Sequence, residues 1–275
     1  MLQLIWLAII QGATELFPVS SLGHSVLVPA VLNWPIDRDA PWFLPFIVVL
    51  HLGTAAALFL YFWRDWLNLF VHFLRDRGRP RSPESRLLWL LIVGTIPAGL
   101  LGLALEHLVR RLFAGFEVAA FFLMLNGVML ILGDRLRKNG GTQVLATMRW
   151  RSAAAIGCAQ ALALIPGVSR SGVTLVSGLA ADLDYASAAR FSFLLATPII
   201  AAAGALEVPK LLKHHAAHGV PLDTSLLCGV LAGVFAFLST AFLMRYFKQT
   251  EITALRPFGI YCLIAGAGAL ALHWL

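Results

Sequence analysis

The sequence predicts an all-α polytopic membrane protein that forms one integral membrane domain over residues 1–275. Hydrophobic residues make up 59% of the chain, while Asp, Glu, Lys and Arg make up only 13%, against about 25% in soluble domains. Six apolar runs of about 20 residues are each long enough to cross a bilayer. Together with a mean hydropathy of +0.81, these observations exclude a soluble enzyme.

The predicted elements follow the same order twice along the chain. A broken apolar segment at 2–33 precedes crossings at 42–63, 87–106 and 116–133, and a second one at 152–181 precedes crossings at 187–207, 224–246 and 256–274. Pro18 interrupts the first broken segment, and Pro166 with Gly167 interrupts the second. Each segment therefore predicts two half-length helices around a polar re-entrant tip, which a membrane tolerates only when the tip is buried in protein or lines a watery cavity.

The two broken segments resemble each other at an offset of 149 residues. This offset places Gln11 on Gln160, Ser20 on Ser169, and Gly23 on Gly172. If each broken segment enters and leaves the membrane on the same side, the three crossings that follow it invert the second repeat, about 152–275, relative to the first, about 1–134. Such inverted repeats bring discontinuous helices together near the membrane midplane, so we expect the two tips to meet.

The basic residues indicate orientation rather than nucleic-acid binding, although the net charge is +7 and the pI about 9.8. Fifteen of them lie in the loops of one side: Arg64, Arg75, Arg77, Arg79, Arg81, Arg86, Arg135, Arg137, Lys138, Arg149, Arg151, Arg190, Arg245, Lys248 and Arg256. Only five lie on the other side: Arg38, Arg110, Arg111, Lys210 and Lys213. The first side is therefore predicted to be cytoplasmic, with both termini and the first broken segment facing outward. Membrane lipids, and no nucleic acid, are the expected surroundings.

The first tip carries a carboxylate, hydroxyls and an imidazole. Gln11 and Glu15 are four residues apart and share a helix face, and Ser20 or Ser21 is placed to cap the half-helix that contains His24. A carboxylate inside the bilayer is costly, so Glu15 calls for a functional or structural reason.

The second tip combines the groups that bind an anion. Hydroxyls come from Ser169, Ser171 and Thr174, and Arg170 supplies a guanidinium at a helix start. Gly172 has no side chain, which leaves backbone N–H groups accessible. Backbone N–H groups, the helix dipole and a two-pronged guanidinium all favour phosphate. The sequence therefore predicts a phosphate site shared by the two tips.

Several assignments stay open at this level. In the catalytic interpretation, Arg170 neutralises phosphate and Ser21 is a nucleophile or positions the phosphorus. His24 then shuttles a proton, and Glu15 is a general base or a ligand of a divalent cation. The structural alternatives are a Glu15–Arg170 ion pair, helix capping by the serines and a satisfied core histidine. Four residues near the ends of crossings are expected to reach the interface: His51, Glu106, His107 and Glu207. Three amides are expected to make interhelical contacts: Gln11, Gln160 and Asn126.

Three motifs resemble the signature of bacterial undecaprenyl pyrophosphate phosphatases, the bacitracin-resistance family. They are Gln11-x-x-x-Glu15, Pro18-Val19-Ser20-Ser21-x-Gly23-His24 and Pro166-Gly167-x-Ser169-Arg170-Ser171-x-x-Thr174. The resemblance extends through Phe191-Ser192-Phe193-Leu194-Leu195-Ala196 and covers essentially the whole chain. It implies a multi-pass enzyme of the bacterial inner membrane that converts undecaprenyl pyrophosphate to undecaprenyl phosphate, the carrier lipid of envelope polymer synthesis.

The resemblance also implies residue roles. Glu15, Ser21, His24 and Arg170 fall on catalytic positions, and Gln11, Ser20, Ser169, Ser171, Gly172 and Thr174 on substrate-binding ones. Because this chain has Gln11 where the pattern also allows Glu, Glu15 is the single acidic ligand for Mg²⁺ or Ca²⁺, and the cation is expected to arrive mainly on the pyrophosphate.

The reaction path and the assembly also stay open at the sequence level. A phosphoserine intermediate and direct attack by water both fit, and the chain is compatible with a monomer or a homodimer. The competing function is a carrier-lipid flippase, because inverted repeats with broken helices are also typical of transporters. The active site and both termini are expected to face the periplasm or exterior.

Overall fold

The structure, a computed structural model, describes residues 1–37, 40, 42–105, 115–137, 144–218, 222–249 and 253–274, without the side chains of 44 and 207–218. These ranges form eleven α-helices and no strand. The first repeat contains α1 (Leu2–Glu15), α2 (Ser21–Val31), α3 (Phe43–Tyr61), α4 (Trp63–Arg75), α5 (Pro83–Ala104) and α6 (Phe116–Arg137). The second contains α7 (Trp150–Gln160), α8 (Arg170–Ala180), α9 (Tyr185–His218), α10 (Leu222–Gln249) and α11 (Arg256–Trp274). The predicted all-α membrane fold is confirmed.

The six predicted crossings are present if one bent helix pair counts as a crossing. Five helices, α5, α6, α9, α10 and α11, are each long and apolar enough to span a bilayer. The remaining crossing is the pair Pro45–Tyr61 and Trp63–Arg75, which bends by 72°. The broken segments also form as predicted, since α1 and α2 flank the first tip and α7 and α8 flank the second.

Helix α4 corrects the sequence analysis, which treated the residues after 63 as a loop. Trp66 and Leu69 are buried against the protein, while Leu67, Phe70 and Leu74 are exposed. A helix with exposed apolar and charged side chains that turns sharply away from a crossing has the character of an interfacial helix. Asp65 of this helix also pairs with Arg190 at the start of α9.

The two repeats pack on each other reciprocally. Helix α1 packs on α10 of the second repeat, and its counterpart α7 packs on α5 of the first. In both contacts the helix backbones approach closely at a glycine. A Cβ on Gly12 would lie 2.2 Å from the Ala232 carbonyl oxygen, and a Cβ on Gly157 would lie 2.3 Å from the Gly94 carbonyl oxygen. Helices α3 and α9 pack together, as do α6 and α11. This arrangement agrees with an inverted repeat, whose boundaries stay a prediction.

The predicted orientation also stays a prediction. Arg38, Arg110, Arg111 and Lys138 lie outside the described residues, as do the side chains of Lys210 and Lys213.

Candidate active site

The first tip begins where α1 ends at Glu15. Pro18 interrupts the chain here, and Ser20 adopts a φ of 65°, a left-handed conformation that few residues other than glycine adopt. The Oγ of Ser20 accepts a hydrogen bond from the Gly23 N–H at 3.1 Å and so caps α2. Since Ser20 is the cap, the hydroxyl of Ser21 is available for the site.

The second tip uses the same cap with a different turn. Helix α7 ends at Gln160 and a 3₁₀ turn follows, after which Gly167 adopts a φ of 97°. A Cβ at Gly167 would lie 2.3 Å from the Ala119 carbonyl oxygen, so only glycine fits there. Ser169 Oγ then accepts from the Gly172 N–H at 3.1 Å and caps α8.

The two tips meet, as the inverted-repeat hypothesis predicts. Ser171 Oγ donates to the Phe17 carbonyl at 3.0 Å. Asn126 of α6 joins both tips, because its Nδ2 donates to the Pro18 carbonyl at 2.9 Å and its Oδ1 accepts from the Ser169 N–H at 3.0 Å. The predicted interhelical role of Asn126 is confirmed, because its Nδ2 also lies 3.5 Å from Cys262 Sγ of α11, and its other contacts are to the tips.

The carboxylate of Glu15 is the centre of a buried polar cluster. Its Oε2 accepts from Ser21 Oγ at 2.5 Å and from Gln11 Nε2 at 2.9 Å. Its Oε1 lies 3.3 Å from Arg170 Nη2, so the predicted contact between the two charged tips is present. Glu15 and Ser21 are buried, and their polar atoms point at each other rather than at lipid.

His51 of α3 belongs to this cluster, although the sequence analysis placed it at the membrane interface. Its Nε2 lies 3.2 Å from Glu15 Oε2 and its Nδ1 2.8 Å from the Ile47 carbonyl oxygen. Both facing oxygens are acceptors, so both bonds form only when the imidazole carries two protons. The interface prediction is wrong for His51; Glu106 and His107 lie outside the described residues, as does the side chain of Glu207. The sequence signal for this role was the position of a histidine well inside the predicted crossing 42–63.

Arg170 is held by the protein through only part of its guanidinium. Nη2 faces Glu15, and Nη1 donates to the Ser192 carbonyl at 3.2 Å. Its buried Nε has no hydrogen-bond partner within the described part of the chain. The side chain therefore keeps hydrogen-bonding capacity for a ligand.

His24 lies beside the cluster, and the bonds described for its ring go elsewhere. Its Nδ1 is 2.7 Å from the Ser20 carbonyl oxygen and its Nε2 is 2.7 Å from the Tyr261 hydroxyl. A neutral ring protonated on Nδ1 satisfies both contacts, and the ring also stacks on Tyr261. This placement favours a role in holding the first tip, and the predicted proton transfer by His24 stays a prediction.

Three residues of the second tip are placed behind the site. The Ser171 hydroxyl is taken by Phe17, the Gly172 N–H by Ser169, and the Thr174 hydroxyl lies 2.6 Å from Ser192 Oγ. All three are buried, and the cavity that adjoins the cluster is lined by other residues. Their predicted direct contact with substrate stays a prediction.

A cavity of about 360 Å³ opens beside the cluster. One part of its wall is polar: Glu15, Ser20, Ser21, His51, Gln160, Ser169 and Arg170. The remaining wall is mostly apolar and comes largely from α5 and α9, including Gly102, Leu103, Ile199, Ile200 and Leu206. A ligand with a small charged head and a long apolar tail has the chemistry that this wall matches.

The cluster does not fit a divalent cation held by the protein alone. Within the described ranges, no group of three or more His, Cys, Asp or Glu side chains could hold a metal ion. Both oxygens of Glu15 already face donors, and one of these is the Arg170 guanidinium at 3.3 Å. A cation needs several oxygen ligands and is repelled by a neighbouring guanidinium, so these residues do not form a cation site by themselves.

The side-chain amides of Gln11 and Gln160 differ from the sequence prediction. Gln11 bonds to Glu15 within its own helix, and neither amide atom of Gln160 has a partner in the described part of the structure. The predicted interhelical bonds of both side chains are therefore wrong.

Comparison with known proteins covers almost the entire chain. A family model described as bacitracin resistance protein BacA matches residues 4–268. Undecaprenyl-diphosphatase 2 of Chromobacterium violaceum is 57% identical over 263 residues, which are 96% of this chain and 95% of the relative. The undecaprenyl-diphosphatase of Acidiphilium cryptum is 52% identical over 269 residues, 96% of this chain and 95% of the relative. That of Granulibacter bethesdensis is 50% identical over 287 residues, 100% of this chain and 96% of the relative.

Proposed function

The chain belongs to the bacitracin resistance protein BacA family, and on that premise we propose that it removes the terminal phosphate of undecaprenyl pyrophosphate. The products are undecaprenyl phosphate and inorganic phosphate. The reaction recycles the carrier lipid for peptidoglycan and other envelope polymers and confers resistance to bacitracin. The protein is a multi-pass membrane hydrolase.

The observation that carries this proposal is the contact between Ser21 and Glu15 beside Arg170. The Ser21 hydroxyl donates to the Glu15 carboxylate at 2.5 Å, which pairs a nucleophile with a general base. Arg170 adds positive charge on the other side of the carboxylate, at 3.3 Å, where an anionic head would bind. The apolar wall from α5 and α9 suits the polyprenyl chain.

The chemistry proceeds in two balanced steps. Ser21 Oγ attacks the terminal phosphorus and its proton passes to Glu15, while the bond from that phosphorus to the bridging oxygen breaks and undecaprenyl phosphate leaves. Water then attacks the phosphoserine: the bond from phosphorus to Ser21 Oγ breaks, Glu15 returns its proton to Oγ, and one proton of the water passes to solvent as inorganic phosphate leaves. Arg170 neutralises charge on the transferred phosphoryl group in both steps, because phosphoryl transfer depends mainly on positioning and electrostatic stabilisation.

A divalent cation, Mg²⁺ or Ca²⁺, would arrive bound to the pyrophosphate of the substrate. Glu15 is one carboxylate already engaged by Arg170 and His51, so the pyrophosphate oxygens are the better ligands for the cation. The protein's own residues then need only bind the head group and activate the nucleophile.

The substrate reaches the site from the exterior. The excess of basic residues in one set of loops supports an outward first tip, and the polyprenyl tail extends into the membrane between α5 and α9. Outward access places the reaction on the face where envelope glycans are polymerised.

The alternative of a flippase is disfavoured by the same contact. A transporter needs Arg170 to bind the phosphate but has no use for a hydroxyl donated to a buried carboxylate. Ser21 and Glu15 are therefore the residues that separate hydrolysis from transport.

The test is phosphate release from undecaprenyl pyrophosphate by the purified protein in detergent, with Mg²⁺ and with Ca²⁺. We expect release by the parent and a roughly hundredfold loss in Glu15→Gln, which keeps the shape but removes the base. Gly268→Ala serves as the folded control, since a Cβ at Gly268 would meet nothing within 4 Å. A folded parent that binds the lipid but releases no phosphate with either cation would overturn the hydrolase and favour the flippase.

A further inference from the structure

The side-chain amide of Gln160 is buried in the wall of the cavity and makes no bond to the protein in the part of the chain that the structure describes. Its exposed fraction is 3%, and both Oε1 and Nε2 lack hydrogen-bond partners. Buried amides are normally satisfied, so a buried amide without partners at a cavity wall points to a ligand that satisfies it.

The corresponding residue of the first repeat explains why this amide is free. Gln11 lies 149 positions earlier and donates to Glu15, four residues further along the same helix, at 2.9 Å. Four residues after Gln160 the chain has Leu164, which offers no side-chain acceptor. The amide nitrogen is therefore committed to the protein in the first repeat and available in the second, while the amide oxygen lacks a partner among the described residues in both.

The position of Gln160 along the wall indicates which part of a ligand it meets. It is the last residue of α7, and Ala163 and Leu164 of the following 3₁₀ turn line the cavity beside it. Leu164 in turn lies 3.8 Å from the place where a Cβ on Gly102 of α5 would be, in the apolar wall. Gln160 thus lies on the chain segment that leads into the apolar wall, whereas Ser21 and Glu15 belong to the first tip.

A second unpaired donor belongs to a residue of the same cavity wall. The Nε of Arg170 is buried and also lacks a partner among the described residues. Phosphate oxygens accept hydrogen bonds and carry negative charge, so they satisfy a guanidinium N–H and an amide N–H together.

We propose that Gln160 is a substrate-binding residue whose Nε2 donates to the lipid-linked phosphate of the pyrophosphate, the phosphate that remains on the product. The inference rests on the proposed function, and it adds a head-group ligand from the second repeat. Because the contacted phosphate stays on undecaprenyl phosphate, Gln160 holds substrate and product alike and acts on binding rather than on the chemical step.

The test compares the parent with Gln160→Leu, which removes the amide at similar volume, and with Gln160→Glu, which replaces the donors with a negative charge. We expect the KM for undecaprenyl pyrophosphate to rise about tenfold in Gln160→Leu with kcat little changed, and to rise further in Gln160→Glu. The inhibition constant of undecaprenyl phosphate should rise by a similar factor, while that of inorganic phosphate stays the same.

Ser225→Ala is the matched control, because Ser225 Oγ is also buried and unpaired among the described residues but does not line the cavity. Its KM should equal that of the parent. A merely structural role for Gln160 would change the melting temperature and leave both constants at parental values, which would overturn the inference.

Two further results are decisive. An increase in the inhibition constant of inorganic phosphate alone would contradict the assignment to the lipid-linked phosphate. If the parent releases no phosphate, the proposed function fails by itself, and direct binding of undecaprenyl phosphate then decides the inference: weaker binding by Gln160→Leu supports it, and equal binding overturns it.

Discussion

The two re-entrant tips share one backbone plan and carry different chemistry. In each, a serine caps the second half-helix through an N–H three residues later, at 3.1 Å in both tips. The first tip adds a carboxylate and a hydroxyl that donates to it, Glu15 and Ser21, whereas the second adds the guanidinium of Arg170. A repeated scaffold that differs at its polar positions can therefore bring opposite charges together at one point.

The difference extends along the flanking helices. His51 of α3 contacts Glu15, and the residue 149 positions later is Ile200, which lines the cavity as an apolar side chain. Gln11 is bound to Glu15, while Gln160 has no partner in the described part of the chain. The first repeat thus supplies the carboxylate, the hydroxyl and the imidazole of the cluster, and the second supplies the guanidinium and part of the apolar wall.

The largest effect is expected when the hydroxyl is removed from the first tip. Ser21→Ala should lower kcat by at least about a thousandfold, because Glu15 then has no nucleophile to activate. Ser20→Ala is the neighbouring control: it removes the α2 cap and should cost about 1 kcal/mol of stability, seen as a lower melting temperature. Near-parental phosphate release by Ser21→Ala would show that water attacks directly.

A smaller loss is expected when the charge is removed from the second tip. Arg170→Ala should lower kcat/KM roughly a hundredfold, because the phosphoryl group loses its cation and Glu15 loses its partner at 3.3 Å. Arg170→Lys keeps the charge without the two-pronged geometry and should lie between that variant and the parent. Equal activity of the parent and Arg170→Ala would show that Arg170 of the second tip does not take part in the reaction.

Substitution of His51 tests whether the first repeat supplies more than its tip. His51→Leu should lower kcat about tenfold, because Glu15 loses a donor at 3.2 Å and is held less firmly towards Ser21. His51→Gln retains an N–H donor and should recover part of the rate. Phosphate release at a fixed pH checks this, and parental rates in both variants would make the contact incidental.

The last prediction concerns the reciprocal helix contacts, which lie away from the polar cluster and affect stability rather than the reaction. Gly12→Ala and Gly157→Ala should each lower stability by about 1–3 kcal/mol, because the new methyl groups meet carbonyl oxygens at 2.2 and 2.3 Å. Gly268→Ala on α11 is the control with open space around it. Melting temperatures in detergent measure the difference; a loss confined to one of the two contacts would show that the repeats are not packed equivalently.

Sequence patterns predicted the tips well because membrane energetics limits the possible arrangements. Intramembrane Glu15 and Arg170 need partners, and proline and glycine breaks located the turns that bring them together. His51 was missed because its partner belongs to another helix, so only its depth in an apolar run indicated a role. Gln160 was misassigned because an amide gives no sequence signal of whether a protein group or a ligand satisfies it. Helix α4 was missed because Arg64 and Asp65 end the apolar run, so the mixed sequence that follows was interpreted as a loop.

The most direct test of a single site built from both tips is a double-mutant cycle on phosphate release. Glu15→Gln, Arg170→Ala and the double variant are compared with the parent at saturating substrate. Residues that act as one unit lose little more together than singly, so the double variant should lose about as much kcat as the worse single variant. If the two losses multiply instead, Glu15 and Arg170 act independently, and the account of a shared reacting centre is contradicted.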